Sequence, residues 1–568
     1  MIKTSPHQPD ESDPRRAFSS TGAARQFPWM GFVIVTCIAS VMCFYRLGSR
    51  AMWQDEGETA VLAQSVLIHG IPKAKIGDNV VQQDAKAFDE SYTWTFHPWG
   101  QFYLAAIGLK AFGENAMGAR APFALCGVLC VAMLFLMAWR TTRCTRTAVV
   151  CALLLAISAT FVTHARQCRY YALDALTCLV VVGVLLELLR RPDWKRGAAF
   201  GVALAAQFYT NFGLQAALLP GLVVVALFFQ IRMTHLRAVS LGLLVAVVLC
   251  IPGGLVHGRR LWGGGATVSP LPFLTKAIAH LSYIDGWFAP LAVLLIAGAI
   301  VLLRRFRTGR VITVDVCLAI GCAFTVILAA IIMAYAAPIP HVRYLIALMP
   351  LAKLALGICA VGLYRITLEK TNRPAMAWTA LFVCIAILVT SNVAAVPIQW
   401  IVELPDQQTP DFCTSRRPYL RFDAAGMLHE LTHDFPCFDQ ARLEAVNRLA
   451  RRGDMVLTNY GDLPLMFHRP DVLIRGGVGG GERPVEDGKR PDLILIQSAF
   501  GIPFQPYLDQ LRESGDYVEQ RVSVPNSPYG NIPEPRAHLF AAPEQRLVLW
   551  IFVKKKNADR VEATTRPA

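Results

Sequence analysis

The chain is 568 residues long, 54% hydrophobic and only 17% charged, with a mean hydropathy of +0.42. A soluble globule carries charge on about a quarter of its residues, so that class is excluded, and repeated apolar runs of about 18–22 residues indicate a polytopic membrane protein. The net charge of +15 resides in short Lys/Arg-rich loops, as the positive-inside rule expects, and this excludes nucleic acid as a partner.

Residues 1–27 read as a disordered cytoplasmic tail, and 28–397 as an α-helical transmembrane domain of about eleven spans. The spans are expected at 28–46, 118–139, 147–163, 170–189, 197–211, 213–230, 238–256, 286–303, 312–336, 343–364 and 375–397. The first run is too long for a signal peptide and lacks a small-residue cleavage site after it, so it is kept as a span. The loops at 140–146, 190–196, 232–237, 304–310 and 365–373 are short and basic, hence cytoplasmic. Between them lie loops richer in Gly, Pro and aromatics at 47–117, 208–213, 257–285 and 337–341, which face the other side. The apolar stretch at 97–113 is too short to span and would invert every later loop if it did. It is predicted to be an interfacial or re-entrant helix in the extracytoplasmic loop 47–117.

Composition changes after the last span. Residues 398–555 read as a small extracytoplasmic α/β domain, with strand-like runs at 455–459, 471–475, 492–497 and 547–553 and a helical pattern at 441–452. Residues 556–568 read as a disordered tail. Cys413 and Cys437 fall in this portion and are a candidate disulfide in an oxidising compartment. The remaining cysteines lie mostly in apolar spans and give no CxxC zinc pattern.

Polar residues gather on the extracytoplasmic side. Asp55, Glu56 and Glu58 follow the first span in "WQDEGE", and His97 opens the short apolar helix. Arg166, Arg169, Tyr170, Tyr171 and Asp174 fall in "THARQCRYYALDA"; Arg259 and Arg260 follow another span; His341, Arg343 and Tyr344 lie in "IPHVRY". Arginine on this face runs against the positive-inside rule, and a lipid phosphate or pyrophosphate would supply the missing partner. Asp55 and Glu56 could act as a general base or hold a divalent metal ion, the one candidate cofactor. Asp174 inside a span calls for a partner or a function. Glu58 reads as solvated charge. "HELTH" (429–433) fits the zinc-peptidase pattern through His429, Glu430 and His433, but its helix is short and no third ligand follows. A transporter or flippase is the other alternative, for which inverted repeats and interrupted central helices are missing from the sequence.

Taken in order, the "DE" pair after the first span, the "HP" of "HPWGQFYL", "FGENAMGARAPFALCGVL", "ARQCRYYALDAL", "FYTNFGLQAALLPGL" and "HVRYLIALMPL" resemble the glycosyltransferase C superfamily. The similarity is to its branch of protein O-mannosyltransferases and the lipid A aminoarabinose transferase, over roughly residues 28–365. The resemblance implies a donor sugar linked to polyprenyl phosphate and an acceptor (protein, lipid or glycan) on the outer side of a bacterial inner membrane. It places the catalytic acid at Asp55 with Glu56 adjacent, and a phosphate contact at His97. Trp99 stands where the family pattern has a second proline. Asp174 matches an acidic position of some members. Arg166, Arg169, His341 and Arg343 are then candidate phosphate ligands, with Tyr344 beside them, and the expected chemistry is a single inverting displacement.

Overall fold

The computed structural model describes residues 26–81, 87–227, 231–263, 270–291, 294, 299, 314–337, 340–390, 423–434, 436–476, 490–497, 505–526, 531–535, 538, 540–557 and 559–560. The chain begins with α1 (Trp29–Phe44) and α2 (Gln54–His69), followed by a small hairpin of β1 (Lys75–Ile76) and β2 (Asn79–Val80) and by α3 (Gly100–Phe112). Next come α4 (Ala116–Thr142), α5 (Thr145–Ala156), α6 (Ala159–Ala165), α7 (Tyr171–Arg190), α8 (Trp194–Leu227) and α9 (Met233–Gly263). The helices α10 (Pro270–Tyr283), α11 (Val314–Ala336), α12 (Met349–Thr371) and α13 (Pro374–Thr390) complete the helical part.

Among the described residues, five helices are long and apolar enough to cross a membrane: α4, α7, Met233–Gly258 of α9, Val316–Tyr335 of α11 and Ile346–Thr371. The pair α5 and α6 is bent by 64° and makes a sixth if taken as one span. The protein is a multi-pass membrane protein, and this count is lower than the eleven expected from sequence. The apolar helices α1 and α13 are shorter than 18 residues, and most of the run at 286–303 lies outside the described residues. The runs at 197–211 and 213–230 fall on the two halves of α8, which break at non-helical Asn211 (φ −159°, ψ 93°); residues 228–230 lie outside the described residues. Gln215 Nε2 donates to the carbonyl of Leu204 at 3.0 Å. Eleven residues of straight helix cover about 16 Å, so the chain bends sharply here. Asn211 Oδ1 accepts from the Leu214 amide at 3.1 Å and restarts the helix as an N-cap would. The span expected at 343–364 starts later, after 3-10 turns at Val342–Tyr344 and Ile346–Leu348, and continues to Thr371. Pro350 suits that start, because an N-terminal helical position has no use for its missing N–H.

Basic loops meet at one end of the bundle. Arg190 Nη2 reaches Thr141 Oγ1 at 3.4 Å, His235 Nε2 lies 3.1 Å from the Leu189 carbonyl, and the Arg146 guanidinium covers the rings of Tyr364 and Trp378 at 4.8 and 5.4 Å. The basic loop 304–310 lies outside the described residues. Residues 45–58, 94–99, 166–171 and 340–344 meet at the opposite end.

There the helical part joins a mixed five-stranded sheet. Helices α14 (Asp423–Thr432) and α15 (Phe438–Leu449) precede β3 (Met455–Thr458), then α16 (Asp462–His468), β4 (Leu473–Gly476), β5 (Leu493–Gln497), α17 (Gln505–Ser514), β6 (Tyr517–Pro525) and β7 (Arg546–Lys554). The strand order is β4-β3-β5-β7-β6, parallel from β4 to β5 and antiparallel beyond. Strand β6 was not foreseen: at the sheet edge "YVEQRVSVP" carries charge on alternate residues, which hides it from a hydrophobic scan. One apolar core runs through the bundle, and a second unites α2, α3 and the start of α4 with α15, α16 and the inner sheet face.

Helix α2 is the seam between the two. A Cβ on Gly57 would stand 2.5 Å from the Pro464 nitrogen and 2.7 Å from the Leu463 carbonyl carbon, so α2 meets the backbone of α16 directly. Gly57→Ala is therefore expected to cost about 1–3 kcal/mol by overpacking, seen as a lower unfolding midpoint in detergent.

Candidate active site

In "WQDEGE" the three carboxylates lie at helical positions pointing three ways, because successive residues turn by about 100°. Glu56, in the first turn of α2, is fully buried. Arg120 Nε and Nη2 reach its two oxygens at 2.7 Å each, and the Cys168 amide donates to Oε1 at 2.9 Å. Its Oε2 also receives the Trp53 amide at 3.4 Å, closing the N-terminal cap of the helix. Arg120 in turn donates to the carbonyls of Leu47, Arg50 and Ala51, fixing the loop that enters α2. Glu56 is thus walled off from any ligand and serves as an anchor.

Glu58 is buried too, contrary to its reading as solvated charge. Its carboxylate is covered by Arg169 and His97, which come from distant parts of the chain. Arg169 Nη1 reaches Glu58 Oε1 at 2.6 Å and His97 Nδ1 lies 3.1 Å from it. Burial alone would raise the Glu58 carboxyl, but the charges of Arg169 and His97 outweigh it and hold the group at about 2 instead of 4.5. His97 is lowered by burial and by Arg169 despite Glu58. Arg169 also donates to Thr59 Oγ1 and the Asp55 carbonyl at 3.1 Å each, and its Nη2 lies 3.3 Å from His97 Nε2. The structure therefore brings His97 and Arg169 to the candidate site, locked together through Glu58.

Asp55 differs from its neighbours. Its side chain is 23% exposed, and its only hydrogen-bond partner among the described residues is Arg343, whose Nη1 stands 2.7 Å from Oδ2. Arg343 rests over the Tyr344 ring at 5.3 Å, and its Nε is buried with no partner among the described residues. The hydroxyl of Tyr171 and Nε of Arg169 are in the same condition. Tyr171 lies within electrostatic reach of Arg343, Asp55 and Arg169. His341 sits beside Tyr344, ring centroids 6.0 Å apart, and is lowered to about 4 by burial and by Arg343 despite Asp55. Asp55, Arg343, Tyr344, Tyr171 and His341 form one partly open cluster with unused donors.

Two of the candidate site residues, the expected phosphate ligand Arg166 and the acidic Asp174, are employed elsewhere. Arg166 donates through Nη1 to the carbonyls of Met42, Cys43 and Tyr45, and through Nη2 to that of Arg46, at 2.9–3.3 Å. A guanidinium at a helix C-terminus satisfies its orphan carbonyls and its dipole, and this is the work Arg166 does here. Asp174 accepts from Asn211 Nδ2 at 2.8 Å and from Gln207, and so holds the bend of α8. The side chains of Arg259 and Arg260, and Cys413 with its proposed pairing to Cys437, lie outside the described residues; Cys437 itself is buried.

"HELTH" forms part of α14. Its His429 and His433 stack on each other at 3.8 Å and are exposed, whereas Glu430 turns inward to His538 Nε2 and to Arg50 Nε at 3.3 Å. Asp434 pairs with Arg46. The helix braces the loop before α2, and its glutamate is not poised as a base between two zinc ligands. Among the described residues no three His, Cys, Asp or Glu side chains are grouped to hold a metal ion. Sequence reading missed Arg120, although an arginine five residues into an apolar helix is costly unless paired and was a usable signal.

The family model described as dolichyl-phosphate-mannose-protein mannosyltransferase matches residues 96–255. The undecaprenyl phosphate-alpha-4-amino-4-deoxy-L-arabinose arabinosyl transferase of Pseudomonas paraeruginosa is 33% identical over 173 residues, 29% of this chain and 31% of that protein. A second transferase of that description, from Pseudomonas fluorescens, is 30% identical over 228 residues, 38% of each. The match thus spans about a third of the length of these curated relatives. The fold is that of ArnT from Cupriavidus metallidurans: the apo structure superposes with a TM-score of 0.57 at 14% identity, covering 95% of this chain and 99% of that one. The structure of that protein bound to undecaprenyl phosphate gives 0.55 at 13% identity, covering 92% and 98%. These likenesses do not favour a transporter or a zinc peptidase.

Two outcomes test this geometry. Arg120→Met leaves the Glu56 charge buried and unpaired, and a stability loss on the order of 3–5 kcal/mol is expected, read as loss of monodisperse protein in detergent. Because the folded value of Glu58 lies below its ordinary one, its stabilisation is complete above pH 4.5 and disappears as pH falls toward about 2. The unfolding midpoint of Glu58→Gln should therefore fall less steeply over that interval than the parent's.

Proposed function

We propose that the chain, with its partial match to mannosyltransferase and aminoarabinose-transferase relatives and its ArnT-like fold, acts as a glycosyltransferase of the C superfamily, moving a sugar from a polyprenyl-phosphate carrier to an extracytoplasmic acceptor. The observation that carries this reading is the partly open pair of Asp55 and Arg343, 2.7 Å apart at one end of a multi-pass bundle. Its surroundings hold donors on Arg343, Arg169 and Tyr171 that have no partner among the described residues, the kind of groups that receive a phosphate.

Asp55 takes the proton from the acceptor hydroxyl or amine as that atom attacks the anomeric carbon. The bond from that carbon to the carrier phosphate breaks, and polyprenyl phosphate departs with the electron pair. Its growing charge is met by Arg343, with His341 and Tyr344 alongside and Arg169 behind, so no general acid is needed. One such displacement inverts the anomeric centre. Glu56 and Arg166 act in this scheme through the backbone they hold, and Asp174 through the bend in α8. A divalent metal ion remains a candidate cofactor, for which the described residues offer no ligand cluster.

We place the protein in a bacterial inner membrane with the tail 1–27 cytoplasmic. The basic loops that meet at one end of the bundle support that orientation. The transmembrane domain would then run through 28–397 and the extracytoplasmic domain through 398–555, with its sheet roofing the reaction side. Membranes carrying the parent or Asp55→Asn, supplied with radiolabelled polyprenyl-phosphate sugar, provide the test. Transfer to endogenous acceptors should drop by at least about 100-fold in the variant and stay at the parent level in His429→Ala. Parent-level transfer by Asp55→Asn would rule out the assignment of Asp55.

A further inference from the structure

The guanidiniums of the candidate site are committed before any substrate arrives. Arg343 pairs with Asp55 and Arg169 with Glu58, while His341 stands 3.9 Å from a third carboxylate, Glu534. Among the described residues, an incoming phosphate therefore finds both guanidiniums paired and is held by either only through a share of one already in use. The two arginines are not equally available. Arg169 is 5% exposed and contacts Glu58, Thr59, the Asp55 carbonyl and His97. Arg343 is 26% exposed and makes a single hydrogen bond among the described residues, from one Nη1 to Asp55. A guanidinium offers five N–H donors in a planar fork. Here one corner is on the carboxylate, and the buried Nε, on the opposite edge of that fork, has no partner among the described residues.

We propose that Arg343 is a substrate-operated cover for the base: it masks Asp55 in the resting protein and is drawn onto the carrier phosphate when the lipid-linked donor binds, which frees Asp55 to accept a proton. The proposal rests on the transferase reading above and adds an order of events to it. A carboxylate bonded to a guanidinium at 2.7 Å is a poor proton acceptor, since its charge and one lone pair are committed. Exchange of Arg343 from Asp55 to phosphate makes base activity conditional on a loaded donor site. Arg343 then grips hardest as the carbon–oxygen bond breaks and the phosphate gains charge. No proton moves in the exchange itself.

The exchange predicts that removing the base tightens the grip on the carrier. Undecaprenyl monophosphate is the probe, and its equilibrium binding to detergent-purified, monodisperse full-length protein is the readout, independent of transfer. If Asp55 competes for Arg343, Asp55→Asn should bind the probe roughly five- to tenfold more tightly than the parent. Simple repulsion between Asp55 and the phosphate would give a gain too, so the same substitution is made in an Arg343→Gln background. There the competition has nothing to compete for, and the gain should shrink to less than twofold. Persistence of the full gain without Arg343 overturns the proposal in favour of direct repulsion. Equal or weaker binding by Asp55→Asn alone overturns it as well. If Arg343→Gln is not monodisperse, Arg343→Lys replaces it: an ammonium cannot present two edges, so the gain should again be reduced. These outcomes are separable from those of the transfer assay. Tight binding with parent-level transfer by Asp55→Asn would sink the base assignment and keep the competition, and lost transfer with unchanged binding would do the reverse.

Discussion

The pairing of Glu56 with Arg120 is the constraint on which the reaction end depends. Two opposite charges are removed from water together, which is tolerable only with near-complete hydrogen bonding. Both carboxylate oxygens are taken by the guanidinium, and the remaining contacts go to backbone groups of residues 47–53 and 168. One ion pair thereby fixes the end of α1's connection, the first turn of α2, the flank of α4 and the loop before α7. Asp55 is the residue between the anchor and the solvent-facing opening. Its position follows from Glu56 being unable to move.

A second layer of order comes from the opposite direction. The sheet domain reaches the same short segment through polar contacts of long sequence separation: Gln54 to Asp462, Trp53 through Gln167 to the Asn531 carbonyl, and Arg50 to Glu430, which also holds His538. Asn79 spans from the small hairpin to β4, donating to the Val472 carbonyl and accepting from the Ile474 amide at 2.8 Å each. The helix start that carries Asp55 is thus held between a membrane bundle and a soluble-type sheet.

Much of this could be read from sequence where one period dominates. Long apolar runs gave the multi-pass class, and alternating loop character separated the ends of the bundle. Asp55 was singled out from sequence because its neighbours in order resembled a known family, and the structure sets it beside Arg343. What could not be read was how a polar residue is spent. Arg166 and Arg169 stand three apart in one loop and break the same charge rule. One caps α1 and the other reaches Glu58 and the Asp55 carbonyl; only contacts distant in sequence decide which. Glu58 looked solvated because nothing local says that His97 and Arg169, the latter 111 residues later, will close over its carboxylate. The bend of α8 was approached from the right side, since "FYTNFG" reads as a turn, but the part played by Asp174 in holding it depends on a neighbouring helix.

The contact of Gly57 with the backbone of Leu463 and Pro464 has an evolutionary consequence. Any side chain at position 57 requires the 463–464 segment to retreat, and any bulkier approach there requires position 57 to stay bare. The two places, some four hundred positions apart, are bound to vary as one. Among relatives that keep this roof, a residue larger than glycine at 57 should be accompanied by a deletion or re-routing ahead of α16, a covariation that would mark the seam between the membrane bundle and the sheet domain.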